Sequence, residues 1–175
     1  MEVSLPLSLL IGFVFVSLFL PKWIKKCKQS NLLWEDMNKY GHPRNVASSG
    51  GIIVVMAFIL GVLSYVALRT FFFNSLDISL HIFALLCVIS IFAIIGLTDD
   101  LLGWKNGGLS ARFRLFLALL ASIPLVVINA GVHEMSFPFL GSINLGLIYP
   151  LILIPIGIAG AATTYNFLAG FNGLE

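Results

Sequence analysis

Five apolar stretches, near 5–20, 51–68, 80–97, 115–130 and 145–163, constrain this chain more than any other feature, because its acidic and basic residues all lie outside them. At 1.5 Å of helical rise per residue, each approaches the length that crosses about 30 Å of hydrocarbon. A soluble domain has no place to bury five such segments. The composition, 59% hydrophobic and 10% charged, departs the same way from the roughly 25% charged usage of soluble domains. The expected fold is an all-α polytopic membrane bundle of five transmembrane helices in one domain, 1–175. Pro150 and Pro155 remove backbone donors inside the last stretch and predict a broken helix there. The first stretch reads as a membrane helix rather than a signal peptide: Glu2 precedes it, and Pro21-Lys22 follows without a small-residue cleavage pattern.

Charge placement orients these spans. Lys22, Lys25, Lys26, Lys28, Lys39 and Arg44 fall between the first and second, and Lys105, Arg112 and Arg114 between the third and fourth. Only Arg69 falls on the other side. Because basic residues accumulate in cytoplasmic loops, the N-terminus is expected outside, with loops one and three and the 166–175 segment cytoplasmic. A net charge of +2, so localised, suggests no nucleic-acid partner. Cys27 among lysines and Cys87 in an apolar run make no disulfide framework. His42, His81 and His133 are scattered, and the many Phe residues read as lipid-facing or packing groups.

The polar segments on the cytoplasmic side carry whatever chemistry the chain has. The first loop holds Glu35-Asp36-Met37-Asn38-Lys39 and leads through Ser48-Ser49-Gly50-Gly51 into span two. A glycine pair at a helix start can bring N–H groups and the positive end of the helix dipole to a phosphate; the alternative is a solvated basic loop. Asp99 and Asp100 end span three. Adjacent carboxylates at a membrane boundary repel one another and normally require a cation or basic partners, and oxygen donors without a Cys/His cluster suit Mg²⁺, with Mn²⁺ as its substitute. They read equally as solvated acids closing a helix. Arg112 and Arg114 lead into span four, either as phosphate clamps or as snorkelling anchors. The terminal Asn166-Phe-Leu-Ala-Gly170-Phe-Asn172-Gly173 run reads as a binding loop at the membrane surface, or as helix caps. Basic groups, paired acids, backbone amides and amide oxygens on one aqueous side together suit a metal-bound diphosphate.

The combination of Asp36-Met37-Asn38-Lys39, Ser49-Gly50-Gly51, Asp99-Asp100 and Asn166 through Glu175 resembles the polyprenyl-phosphate N-acetylhexosamine-1-phosphate transferase superfamily (glycosyltransferase family 4), nearest to its eukaryotic and archaeal dolichyl-phosphate members. The motifs stand in family order over nearly the whole chain. The resemblance implies a fold of about ten membrane helices, of which this chain is the N-terminal half. It also implies Mg²⁺-dependent transfer of GlcNAc-1-phosphate from UDP-GlcNAc, a UDP-N-acetylhexosamine, to a polyprenyl phosphate lipid, the first step of glycan assembly. By the same resemblance Asp99 and Asp100 are the essential acidic pair; on chemical grounds Asp100 is expected to help place the metal, directly or through water, and Asp99 to orient the lipid phosphate or a basic neighbour. Asn166 matches a metal-site asparagine, and Gly170 and Asn172 match positions against uracil. Arg114 stands where many members have a lysine touching the diphosphate. Asn38, Lys39, Gly51 and Arg112 complete the expected substrate contacts. Ala47-Ser48 replaces a Pro-Glu of the family, which departs from its nucleotide contact.

A later metal aspartate and a basic sugar-diphosphate loop of the family lie beyond Glu175, so the isolated chain is expected not to turn over. Within the enzyme class the runner-up is an undecaprenyl-phosphate transferase with GlcNAc or MurNAc-pentapeptide as the sugar partner. Outside it stands a non-catalytic membrane fragment or half-transporter, with Asp99 and Asp100 lining a pathway. The expected location is the plasma membrane of a prokaryote, or the endoplasmic reticulum membrane if eukaryotic, with a cytoplasmic active face and a homodimer as an allowed assembly.

Overall fold

A computed structural model of the chain describes residues 4–35, 41–42, 45–73, 79–106, 108–137 and 141–168; side chains at 73, 79, 103–106, 137 and 166–168 are outside the description. Helices dominate: α1 (Ser4–Gln29), α2 (Gly51–Phe73), α3 (Ser79–Asn106), α4 (Ala111–Ala121), α5 (Ile123–Ile128) and α6 (Ile154–Leu168). Two short antiparallel ladders, β1 (Leu33–Trp34) with β2 (Val46–Ala47) and β3 (Glu134–Phe137) with β4 (Gly141–Asn144), interrupt them. Among the described residues, four segments are long and apolar enough to cross a membrane: Ser4–Gln29, Gly51–Phe72, Leu80–Leu102 and Ala111–Ile128. Tyr149–Tyr165 is a shorter apolar helix, so the five expected spans correspond to these segments. Large apolar side chains point outward, Phe13 at 70% and Phe71 at 81% exposure, which suits lipid rather than water as the surrounding solvent.

The chain divides into two compact units. The first comprises Met1–Ser79 and Gly96–Gly108, the second Leu80–Ile95 and Leu109–Glu175.

In the first unit α1 packs on α2 through small residues. A Cβ at Gly61 would lie 3.2 Å from the Ser8 carbonyl oxygen, and one at Gly12 would lie 3.4 Å from that of Ala57. Between helices in lipid, association depends on such close backbone approach, because apolar burial adds little there. α1 runs past the expected Leu20, through Pro21, to Gln29. It stops where Asn31 adopts φ +57 and the Leu32 N–H donates to the Cys27 carbonyl at 3.0 Å, a Schellman-type ending with asparagine in the usual glycine place. The β1–β2 ladder pairs Leu33 with Ala47 and Trp34 with Val46, returning the chain to the start of α2. So short a ladder has no alternating pattern that sequence reading could detect.

In the second unit the expected fourth span is divided at a fully buried Ser122, which ends α4 by donating its hydroxyl to the Leu119 carbonyl at 2.6 Å. Pro124 follows in the first turn of α5, where its missing N–H costs nothing. The β3–β4 hairpin is closed by Leu145 N–H to the His133 carbonyl at 2.8 Å. The last apolar segment opens with a wide π-helical turn, Tyr149–Leu153, containing Pro150, and continues as α6 with Pro155 in its first turn. The interruption expected from the two prolines thus appears as one turn of different pitch. α4 and α5 both pack against α6.

Candidate functional site

The start of α2 and the Asp99–Asp100 pair belong to the same unit. Ser48 and Ser49, 8% and 9% exposed, form a buried elbow ahead of Gly51. The Ser48 carbonyl accepts from Trp23 Nε1 at 3.4 Å and from Cys27 Sγ at 3.6 Å, while its N–H donates to the Leu32 carbonyl at 3.2 Å. α1 and the strand-bearing loop therefore hold the elbow from two sides. Ser49 turns the chain with φ +56, in the left-handed region that disfavours any residue with a Cβ. Its Oγ lies 3.2 Å from Ser48 Oγ, and either hydroxyl can donate to the other. The α2 backbone closes with Ile52 N–H on the Ser49 carbonyl, 3.3 Å, and Ile53 N–H on that of Gly50, 3.1 Å.

α3 does not stop before the acids, as expected for a boundary at Leu97, but continues through them to Asn106. Helical residues one apart are turned by about 100°, so the carboxylates look in different directions. Asp100 is exposed to solvent and Asp99 is half-buried. Gly108 adopts φ +79, and a Cβ there would fall 2.7 Å from Asp99 Oδ1. The backbone angle favours glycine, and a side chain here would push the Asp99 carboxylate aside. At Gly51, by contrast, a Cβ would meet nothing within 4 Å, so packing does not demand glycine.

In the second unit Ser110 caps α4, accepting from the Phe113 N–H at 3.4 Å. Arg112 is exposed and Arg114 half-buried in the first turn. Two positions apart on a helix, they lie on different faces. Asn166 sits in the last turn of α6 rather than in a loop, because α6 runs on to Leu168. Asn38, Lys39, Gly170 and Asn172 lie outside the described residues.

The Ser49 conformation and the Trp23 and Cys27 bonds to Ser48 were not foreseen. They depend on contacts distant in sequence, although Ser48-Ser49-Gly50-Gly51 was itself a signal. Among the described residues no three His, Cys, Asp or Glu side chains cluster. The donors here are carboxylates and hydroxyls, which suits a Mg²⁺ bound through one or two carboxylates with waters and phosphates completing its shell.

Comparison with known proteins decides the family. The glycosyl transferase family 4 profile matches residues 82–175. The chain belongs to glycosyl transferase family 4. It is 35% identical over 169 residues to a protein of Sulfolobus acidocaldarius provisionally named UDP-N-acetylglucosamine–dolichyl-phosphate N-acetylglucosaminephosphotransferase, covering 96% of this chain and 49% of that one. A Saccharolobus solfataricus protein with the same provisional name is 34% identical over 96% of this chain and 48% of its own length. The Dictyostelium discoideum UDP-N-acetylglucosamine–dolichyl-phosphate N-acetylglucosaminephosphotransferase is 32% identical over 84% of this chain and 38% of its own. This family 4 chain thus spans about half the length of the curated relatives it matches. No solved structure gives a significant match.

Proposed function

We propose that this family 4 chain contributes to the transfer of GlcNAc-1-phosphate from UDP-GlcNAc to a dolichyl-type polyprenyl phosphate. The observation that carries the reading is the Asp99–Asp100 pair, inside the family match and on the stretch of α3 that lies in the same unit as the Ser48–Gly51 helix start. The names of its relatives support the same substrates.

In this reaction an oxygen of the lipid phosphate attacks the phosphorus that carries GlcNAc. The bond from that phosphorus to UMP breaks, giving a lipid-linked diphosphosugar and UMP. A phosphate already carries about −1.5 to −2 charge near neutral pH, so alignment matters more than proton removal. Asp100 would hold Mg²⁺, and Asn166 is assigned the same ion by resemblance alone. Such an ion, when bound, neutralises diphosphate charge. Asp99, half-buried against Gly108, has a restricted carboxylate suited to orienting the lipid phosphate or a basic neighbour. Arg114 would stabilise charge on departing UMP. The active face would be cytoplasmic, in the plasma membrane of a prokaryote or the endoplasmic reticulum membrane of a eukaryote.

Because the chain spans about half of its relatives, UMP release is expected only together with the remainder of their fold. Binding is the direct test: UDP-GlcNAc should bind the purified chain in a magnesium-dependent way that Asp100→Asn abolishes. Binding indifferent to both magnesium and Asp100 would refute the site. Robust UMP release by this chain alone would show that the catalytic residues have been misplaced.

A further inference from the structure

We propose that the groove between α1 and α2 holds one anionic phospholipid, with an acyl chain along its apolar walls and the phosphate at Tyr65 and Arg69. The inference stands apart from the transferase reading.

Leu5, Leu9 and Phe13 of α1 and Phe58, Val62 and Tyr65 of α2 line a cavity of about 420 Å³. Gly12 and Gly61, on the same groove, bring the two backbones together there. The Ser8 hydroxyl is spent on the Leu5 carbonyl at 2.8 Å, which leaves the lining fit for a hydrocarbon chain. Polarity begins at one end. Tyr65 Oη accepts from Arg69 Nη1 at 3.2 Å and so keeps its own proton to donate. Arg69 stands about 27 Å along α2 from Gly51, where some 30 Å of hydrocarbon gives way to headgroups. The register that sets Gly12 against Ala57 and Gly61 against Ser8 brings Ser4 level with Tyr65. The Ser4 hydroxyl is buried and has no hydrogen-bond partner among the described residues. A guanidinium, a phenol and a buried hydroxyl at headgroup depth, above an apolar trough, complement one phosphate with its chain below. Snorkelling accounts for a basic residue at this depth but not for the trough or the buried hydroxyl. Because lipid tails gain little by leaving other lipid, selectivity must come from the headgroup.

Native mass spectrometry of the purified chain, released from nanodiscs of equal phosphatidylglycerol and phosphatidylcholine with matched acyl chains, reads which lipid stays bound and to how many copies. The wild-type monomer should retain one phosphatidylglycerol several-fold over phosphatidylcholine. Arg69→Gln should abolish that preference, and Arg69→Lys should keep most of it. Tyr65→Phe, which removes only the phenolic oxygen, should weaken the preference in a chain that still folds. Val62→Phe fills the trough and should lower retention of both lipids. Equal retention of the two lipids by the wild type would overturn the proposal, as would a preference unchanged in both Arg69→Gln and Tyr65→Phe. A preference lost only when Lys22, Lys25, Lys26 and Lys28 are all changed to Gln would place the phosphate at the other end of α1 and overturn it equally. A lipid-free dimer would give the groove to a second copy of the chain instead.

Discussion

Two serines that precede helices in this protein are held in different ways. Ser110, ahead of α4, has extended backbone angles, lies exposed, and turns its hydroxyl to its own helix at the Phe113 N–H. Ser49, ahead of α2, is buried at positive φ, with its hydroxyl 3.2 Å from that of Ser48. The first arrangement follows the ordinary rule of helix capping, in which the side chain satisfies an orphan donor of the first turn. The second departs from that rule at a cost in backbone strain. Trp23, Cys27 and Leu32 hold the neighbouring Ser48, so the contrast separates a helix start made by local rules from one made by tertiary contacts.

The largest expected effect lies on α3, in the same unit as Ser49. Asp100→Asn removes an anionic oxygen and should weaken Mn²⁺ binding on the order of 100-fold, the upper end of what even indirect partners cost. An affinity within twofold of wild type would remove the metal from Asp100. Gly108→Ala comes next. Its positive φ alone should cost about 1–2 kcal/mol in thermal stability, and the new Cβ, 2.7 Å from Asp99 Oδ1, must turn that carboxylate aside. Full stability in this variant would mean that Asp99 and the 108 backbone are loosely held. Ser110→Ala should have the smallest effect, about 1 kcal/mol of stability with unchanged Mn²⁺ affinity. A loss of metal binding as large as that of Asp100→Asn would overturn the reading of Ser110 as a helix cap alone.

Some of this was legible before any fold was known. Apolar length marks membrane helices because a bilayer tolerates few uncompensated polar groups, and α1, α2 and α3 lie where their stretches predicted, though extended at their ends. The Asp99–Asp100 pair and the Ser48–Gly51 run were recognisable by residue type, since paired acids and glycine-broken helix starts are uncommon beside apolar spans. Helix ends were misjudged where a polar residue continued the helix: Asp99, Asp100 and Asn166 are all helical. Their side chains can remain in water while the backbone bonds internally, so polarity alone did not mark the boundary. The β1–β2 and β3–β4 ladders escaped notice because four residues or fewer per strand leave no reliable period.

By itself, then, the sequence determined which segments face lipid, where the acids and basic residues stand along the chain, and which family pattern they form, since these follow from composition and order. Only tertiary structure decided what Ser49 and Gly108 do. A left-handed backbone angle at a serine depends on Trp23, Cys27 and Leu32, residues far away in sequence, and a glycine pressed on a carboxylate depends on how the chain turns back after α3. Hydrogen bonds and hard-sphere contacts act over a few ångströms of space, whatever the separation along the chain.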